Sequence, residues 1–118
     1  MDESRPIFQQ IAEQIENDII AGTLPEESQI PSTNEFAAFH RINPATAGKG
    51  VNLLVDSGIL YKKRGIGMFV AEGARARLVA DRRDQFRDQY LTPLFAEAAK
   101  LGITRDQLAA MIQKGDAR

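Results

Sequence analysis

Two helix starts lie eleven residues apart, at Ser32 and Asn43, and this spacing constrains the fold more than any other feature of the chain. Ser32-x-x-Glu35 is a capping box, in which each side chain serves a backbone N–H of the other residue. Asn43 before Pro44 is a second start: the amide oxygen accepts an N–H of the first turn, and proline needs no N–H at the first helical position. The spacing predicts a short helix over Thr33–His40, with Phe36, Ala37 and Phe39 as its apolar side, and a tight turn through Arg41-Ile42-Asn43. The next helix carries Ala47, Val51, Leu54 and Val55 at steps of three and four and stops at Gly58. Two short helices joined by so tight a turn form a helix-turn-helix.

The flanks complete the outline. Upstream, Phe8, Ile11, Ala12, Ile15, Ile19 and Ile20 predict an amphipathic helix from Pro6 to Ala21. Downstream, Ile59–Lys62 and Met68–Val70 read as two strands about the turn Arg64-Gly65-Ile66-Gly67, with Leu60 and Lys62 facing opposite to Ile59 and Tyr61. Phe36, Phe39, Leu54 and Phe69 are expected in the core. After Gly73 a long helix is expected from Ala74 to Lys100, with a kink or break near Gln89–Pro93, because Pro93 removes a backbone hydrogen bond. Leu101-Gly102-Ile103 reads as a turn. A second capping box, Thr104-x-x-Gln107, opens a last helix through Met111 and Ile112, and residues 116–118 are expected to fray. The expected fold is mainly α (α+β): a winged helix-turn-helix domain over residues 1–72, then a short α-helical dimerisation tail over 73–118.

Composition removes much chemistry. The chain of 118 residues has no cysteine and one histidine, His40. Disulfides, thiol catalysis, iron–sulfur clusters and cysteine- or bis-histidine-bound metals are excluded, and no nucleophile–base pair stands out, so no enzyme, no cofactor and no metal site are expected. No apolar run is long enough to span a membrane. The acidic opening Met1-Asp2-Glu3-Ser4 lacks the apolar stretch of a secretory signal, so a cytoplasmic location is expected.

The net charge of −1 conceals an asymmetry. Residues 1–39 sum to −7 and residues 40–67 to +4. The basic stretch covers the second helix of the helix-turn-helix and the hairpin, the elements that enter a groove and flank it in DNA-binding folds. Candidate DNA-binding residues are therefore Asn43, Ala45, Thr46 and Lys49 on the reading helix. Lys62, Lys63, Arg64, Gly65 and Gly67 follow on the wing. Ser32, Thr33 and Asn34 are candidates on another ground, since the N-terminus of the supporting helix commonly faces the DNA backbone. The arginines and aspartates from Arg75 to Asp88 read as a solvated helix face with local ion pairs. Phe86, Tyr90, Leu91, Leu94 and Phe95 form an apolar stripe that a two-helix tail has no means to bury alone, which predicts a symmetric homodimer.

Ile30-Pro31-Ser32-Thr33-Asn34-Glu35-Phe36-Ala37, Ile42-Asn43-Pro44-Ala45-Thr46, Asp56-Ser57-Gly58-Ile59-Leu60 and Arg64-Gly65-Ile66-Gly67-Met68-Phe69-Val70 together resemble the DNA-binding domain of GntR-family bacterial transcription regulators. Pro6–Ile11 and Ile20–Leu24 also fit, so the resemblance covers about residues 5–71. The short tail is similar to that of the YtrA-like subfamily, whose two tail helices serve dimerisation. The resemblance implies a sequence-specific regulator, a repressor by the commonest use in the family, that binds an inverted-repeat operator in double-stranded DNA as a homodimer. A small-molecule effector of unknown chemistry acting at the junction, about Ala71–Ala74, is compatible with it. The chain departs from the family where many members carry Arg at position 34, a bulkier polar residue at 45 and Arg at 48; here stand Asn34, Ala45 and Gly48. The neutral Asn34 is what suggests the alternative reading, a winged-helix protein–protein interaction module without DNA specificity.

Overall fold

The computed structural model describes residues 4–115, so the expected fraying of 116–118 lies outside the described residues. The elements follow in the order α1 (Ile7–Ala21), α2 (Thr33–His40), α3 (Pro44–Asp56), β1 (Leu60–Lys63), β2 (Gly67–Val70), α4 (Ala74–Phe86), a π-turn (Arg87–Leu91), α5 (Thr92–Lys100) and α6 (Arg105–Lys114). They divide into two compact units, Met1–Val79 and Ala80–Arg118. The sequence boundary at 72/73 falls just before α4, whose first turns belong with the first unit: Ala74 and Leu78 are buried in its core.

The first unit is a three-helix cluster with a hairpin. Ile11, Ile15 and Ile19 of α1 meet Phe36 and Ala37 of α2 and Ala47, Val51 and Leu54 of α3, and Ile59, Leu60 and Val70 close the core from the hairpin side. Gly50 sets how closely α3 approaches α1. A Cβ there would lie 2.7 Å from the Phe8 carbonyl oxygen and 3.0 Å from the Ile11 side chain. Helix interiors usually penalise glycine, and here the missing side chain is what lets the two backbones meet.

Both helix starts of the helix-turn-helix form as the sequence implies. Ser32 Oγ accepts the Glu35 N–H at 3.0 Å, and Glu35 Oε1 accepts the Ser32 N–H at 2.9 Å. Asn43 Oδ1 accepts the Ala45 N–H at 2.7 Å, with Pro44 at the first helical position. Pro6 flanks α1 rather than beginning it, its carbonyl accepting the Gln9 and Gln10 N–H groups.

Two expectations about the core fail. Phe39 is 83% exposed. The inner side of α2 runs through Phe36, Ala37 and the half-buried His40; one helical step of 100° carries Phe39 off it. The His40 ring sits 4.4 Å from Phe36 and 5.0 Å from Phe39 and takes the place expected for Phe39. Phe69 is only half-buried and stacks on Tyr61 at 5.9 Å instead of joining the core.

The hairpin is antiparallel, with Leu60↔Val70, Tyr61↔Phe69, Lys62↔Met68 and Lys63↔Gly67 as partners. β1 starts one residue later than expected. Ile59 donates its N–H to the Leu54 carbonyl at 2.9 Å and so still belongs to the exit from α3. Ile59 and Leu60 are consequently both buried, which breaks the expected alternation at that point. The chain before α2 covers the other edge of β2: Glu27 and Ile30 donate to the Val70 and Met68 carbonyls, and the Val70 N–H reaches the Ser28 carbonyl. Residue 29 pairs with Phe69 in an antiparallel bridge.

The long helix breaks where Pro93 requires. Proline has no N–H to give the carbonyl of Gln89, and its ring would press on that group in an α-helix. The backbone widens into a π-turn just upstream, with the Thr92 N–H donated to the Arg87 carbonyl five residues back. Thr104 and Gln107 then form the second capping box, at 3.1 and 2.8 Å, and α6 follows. In this second unit Ala98 and Leu108 are buried, and the Arg105 guanidinium lies 4.7 Å from the centre of the Phe95 ring.

Candidate nucleic-acid interface

The reading helix of the expected pair is α3. Ala45, Lys49 and Asn52 follow at steps of four and three along its exposed side, Asn43 is exposed at its cap, and Thr46 is half-buried. The Lys49 ammonium lies 4.1 Å over the Phe8 ring, a cation–π contact that ties this cation to the start of α1. The start of α2 meets α3 beside these residues. Thr33 Cγ2 lies 3.6 Å from where a Gly48 Cβ would stand, which brings Thr33 next to the stretch between Thr46 and Lys49. Asn34 is exposed and half-buried Thr33 faces α3. Ser32 is exposed but spends its hydroxyl on the capping box, where Glu35 also places a carboxylate. The Ser32 N–H, and next its hydroxyl, hold the Glu35 carboxyl below the usual carboxylate range.

On the hairpin, Lys62, Lys63, Arg64 and Gly65 are exposed and Gly67 is half-buried. The pleat separates the cations: Tyr61 and Lys63 share a side, and Lys62 faces the other way. The Lys63 ammonium sits 4.4 Å over the Phe69 ring, so Tyr61, Phe69 and Lys63 form one packed strip. Tyr61 donates its hydroxyl to Glu27 Oε2 at 2.9 Å. That bond, then burial and the charge of Glu27, pushes the phenol above its ordinary range.

Five residues outside the sequence's list of candidates shape this region. Gln29 Nε2 donates to the Ile66 carbonyl at 2.9 Å. Ile66, at the hairpin tip, is 63% exposed. Glu26 caps α4 from 47 residues upstream, accepting the Gly73 N–H at 2.9 Å and the Arg75 N–H at 3.2 Å. Arg77 donates to the Ser57 carbonyl at 2.8 Å, and Arg75 donates through Nε to the Ile20 carbonyl at 2.9 Å. The two arginines read from sequence as a solvated face thus fasten the start of α4 to the ends of α1 and α3. These contacts join distant segments, and no local pattern announces them.

The dimerisation candidates lie in the second unit. Phe86, Tyr90, Leu94 and Phe95 are exposed and Leu91 is half-buried, with the Phe86 and Tyr90 rings 5.5 Å apart. Leu101, Met111 and Ile112 are exposed as well and enlarge the apolar surface beyond the expected stripe. Among the described residues no helix is long and apolar enough to cross a membrane.

Comparison with known proteins places this geometry. The chain is 29% identical over 94% of its length to the HTH-type transcriptional repressor YtrA of Bacillus subtilis (strain 168), covering 85% of that protein. It superposes on a GntR-family putative transcriptional regulator from Bacteroides thetaiotaomicron with a TM-score of 0.71 at 34% identity, covering 93% of this chain and 99% of that one. The first unit is similar to the DNA-binding domain of AraR in complex with operator ORX1: TM-score 0.55, 32% identity, 60% of this chain and 87% of that one. Residues 7–70, from the first turn of α1 to the last residue of β2, match the model of the bacterial regulatory proteins, gntR family. A winged helix-turn-helix with a helical tail, more than half of it matched to that family, makes this chain a member of the GntR family of transcription regulators.

Proposed function

We propose that the chain is a homodimeric repressor that reads an inverted-repeat operator in double-stranded DNA. One observation carries the reading. The segment of charge +4 coincides with an exposed reading helix and an exposed three-cation wing, while residues 1–39 sum to −7. Cations grouped on groove-sized elements bind phosphates regardless of a net charge near zero. In this reading α3 enters the major groove by its N-terminal end through Asn43, Ala45, Thr46 and Lys49. Ser32, Thr33 and Asn34 lie along the backbone, and Lys62, Lys63, Arg64, Gly65 and Gly67 flank the adjoining groove. The neutral Asn34 and Ala45 bear on which sequence is read, since base contacts carry specificity and phosphate contacts carry affinity.

The dimer reading rests on size and surface. The second unit has 39 residues, and units below about 40 residues usually need a disulfide, a metal or a partner chain. The chain has no cysteine, and Phe86 and Tyr90 are 56% and 64% exposed. A second copy supplies the missing apolar surface, and two-fold symmetry then matches an inverted repeat. The repressor names of similar proteins support the direction of regulation. The protein acts in the cytoplasm, where a bacterial operator is found.

The test is selection of bound duplexes from a random pool at two salt concentrations. A palindromic motif is expected, with log affinity falling against log salt at a slope of roughly −0.9 per phosphate neutralised. A folded, dimeric protein that enriches no motif would leave the protein-interaction reading in its place.

A further inference from the structure

Lys49 is the only cation of α3, and it is not left to sweep through solvent. Its ammonium lies 4.1 Å over the Phe8 ring. Among the described residues no carboxylate pairs with it, so its charge stays unneutralised while its head is held. Phe8 is half-buried, yet among the described residues it is not one of the half-buried apolar side chains packed against the core. Its ring serves the lysine instead, by the attraction of a cation to the face of an aromatic ring.

Two touching backbones carry the pair. A Cβ on Gly50 would lie 2.7 Å from the Phe8 carbonyl oxygen, so the first turn of α1 meets α3 one residue from Lys49. The direction of the pull matters. Lys49 lies four residues behind Ala45, about 6 Å farther from the N-terminal end that enters a groove. The exposed line of α3 runs through Ala45, Lys49 and Asn52. Phe8 belongs to α1, which packs on the buried side of α3, so its ring draws the ammonium off that line toward the flank of the helix. A cation on the flank meets the wall of a groove, where the phosphates run, and not the base edges on its floor.

We infer that Phe8 is a positioning residue for DNA binding, its ring holding the Lys49 ammonium for a backbone phosphate at the wall of the major groove. The inference rests on the DNA-binding reading above. A lysine free in solvent gives up its rotamer freedom when a phosphate immobilises it, and that loss is subtracted from the contact. Lys49 has given up part of it in advance, to Phe8. The same geometry assigns Lys49 to affinity and salt dependence, and leaves the choice of sequence to other residues.

The probe is the duplex that the wild-type chain enriches from a random pool, with affinity measured by fluorescence anisotropy at several salt concentrations. Phe8→Leu keeps an apolar side chain and removes the aromatic face; it is expected to weaken binding about threefold, the effect of one side chain no longer ordered in advance. Phe8→Tyr keeps the ring and at least the wild-type affinity. Lys49→Ala lowers the magnitude of the slope of log affinity against log salt by about one and enriches the same motif as wild type. In the Lys49→Ala background Phe8→Leu costs nothing further, since Phe8 works through that lysine. A readout in the wild-type chain needs no variant: the Lys49 side-chain protons nearest the ring face resonate upfield in NMR, and they stay upfield when the duplex is added. Loss of that shift on adding the duplex shows that DNA takes the ammonium off the ring, and overturns the inference. So does wild-type affinity in Phe8→Leu, or an equal loss from Phe8→Leu with and without Lys49. A different motif selected by Lys49→Ala makes Lys49 a base reader and overturns the phosphate assignment. In each of these cases DNA binding stands. A chain that enriches no duplex overturns the DNA-binding reading and this inference with it.

Discussion

Gly48 and Gly50 lie two residues apart in α3, and adding one methyl group to each should move stability in opposite directions. By helix propensity the two substitutions are alike: Gly→Ala in a helix interior stabilises by about 1 kcal/mol. The surroundings differ. At Gly48 the new Cβ would have Thr33 Cγ2 as its nearest neighbour at 3.6 Å, an ordinary contact. Gly48→Ala should keep the full gain. With about 4–8 °C of melting temperature per kcal/mol in a domain of this size, the transition should rise by roughly that much. At Gly50 the new Cβ would lie 2.7 Å from the Phe8 carbonyl oxygen. That neighbour is backbone, so α1 itself must shift, and overpacking of this kind costs about 1–3 kcal/mol. Set against the propensity gain, the net is a loss of about 1 kcal/mol, a fall of roughly 4–8 °C. The measurement is thermal unfolding by circular dichroism at 222 nm, with urea midpoints checking that the m-value is unchanged. Equal rises in the two variants would show that α1 and α3 are not in backbone contact at Gly50, and the account of how the three helices close on one another would fail.

Four further outcomes are expected. Tyr61 should titrate above the ordinary tyrosine range by absorbance at 295 nm in a Tyr90→Phe background, and Glu27→Gln should bring it back down. The folded-state value is raised, so the stability the bond contributes is present below the ordinary tyrosine range and is lost as pH rises through the raised value. For Glu35 the sign is reversed. Its depressed carboxyl contributes stability above the usual carboxylate range that disappears as pH falls through the folded value, so Glu35→Gln should flatten the acid limb of the pH–stability curve. Glu26→Ala should remove the cap of α4, lower stability by about 1 kcal/mol and speed hydrogen exchange at Gly73 and Arg75. In a fourth case Phe86→Glu should shift the chain from dimer to monomer in sedimentation equilibrium, with the first unit still folded.

What the sequence made legible was local. Capping boxes, Asn-Pro, and Gly at helix ends each act within four residues, and the caps placed the starts of α2, α3 and α6 to the residue. Pro93 announced a break in the long helix because its chemistry does not depend on any distant neighbour. What failed was settled by packing. Phe39 looked like core by composition, but a two-turn helix has too narrow an inner side to hold three aromatic rings, and His40 filled the place. By propensity alone Gly48 and Gly50 are equivalent, and only the position of α1 distinguishes them. At the candidate site the cations of the wing were legible from charge. The bond from Gln29 to Ile66 spans 37 residues, and Glu26 reaches 47 to cap α4. Such pairings have no periodicity to reveal them.

The π-turn does more than tolerate a proline. Four residues carry an α-helix through about 400°, so positions spaced by four drift by about 40° at each step. Phe86, Tyr90, Leu94 and Ala98 are spaced by four, and in an unbroken α-helix Ala98 would end about 120° around the axis from Phe86. A single π-turn takes up one residue beyond the α-helical ladder and returns about 100° of that rotation. The offset left is about 20°, so the side chains form a straight line along the helix instead of a spiral around it. Pro93 therefore acts as a phase correction. It converts a spacing that would scatter four side chains into one that aims them in a common direction, and inserting a single residue between Arg87 and Leu91 would wind the line apart again.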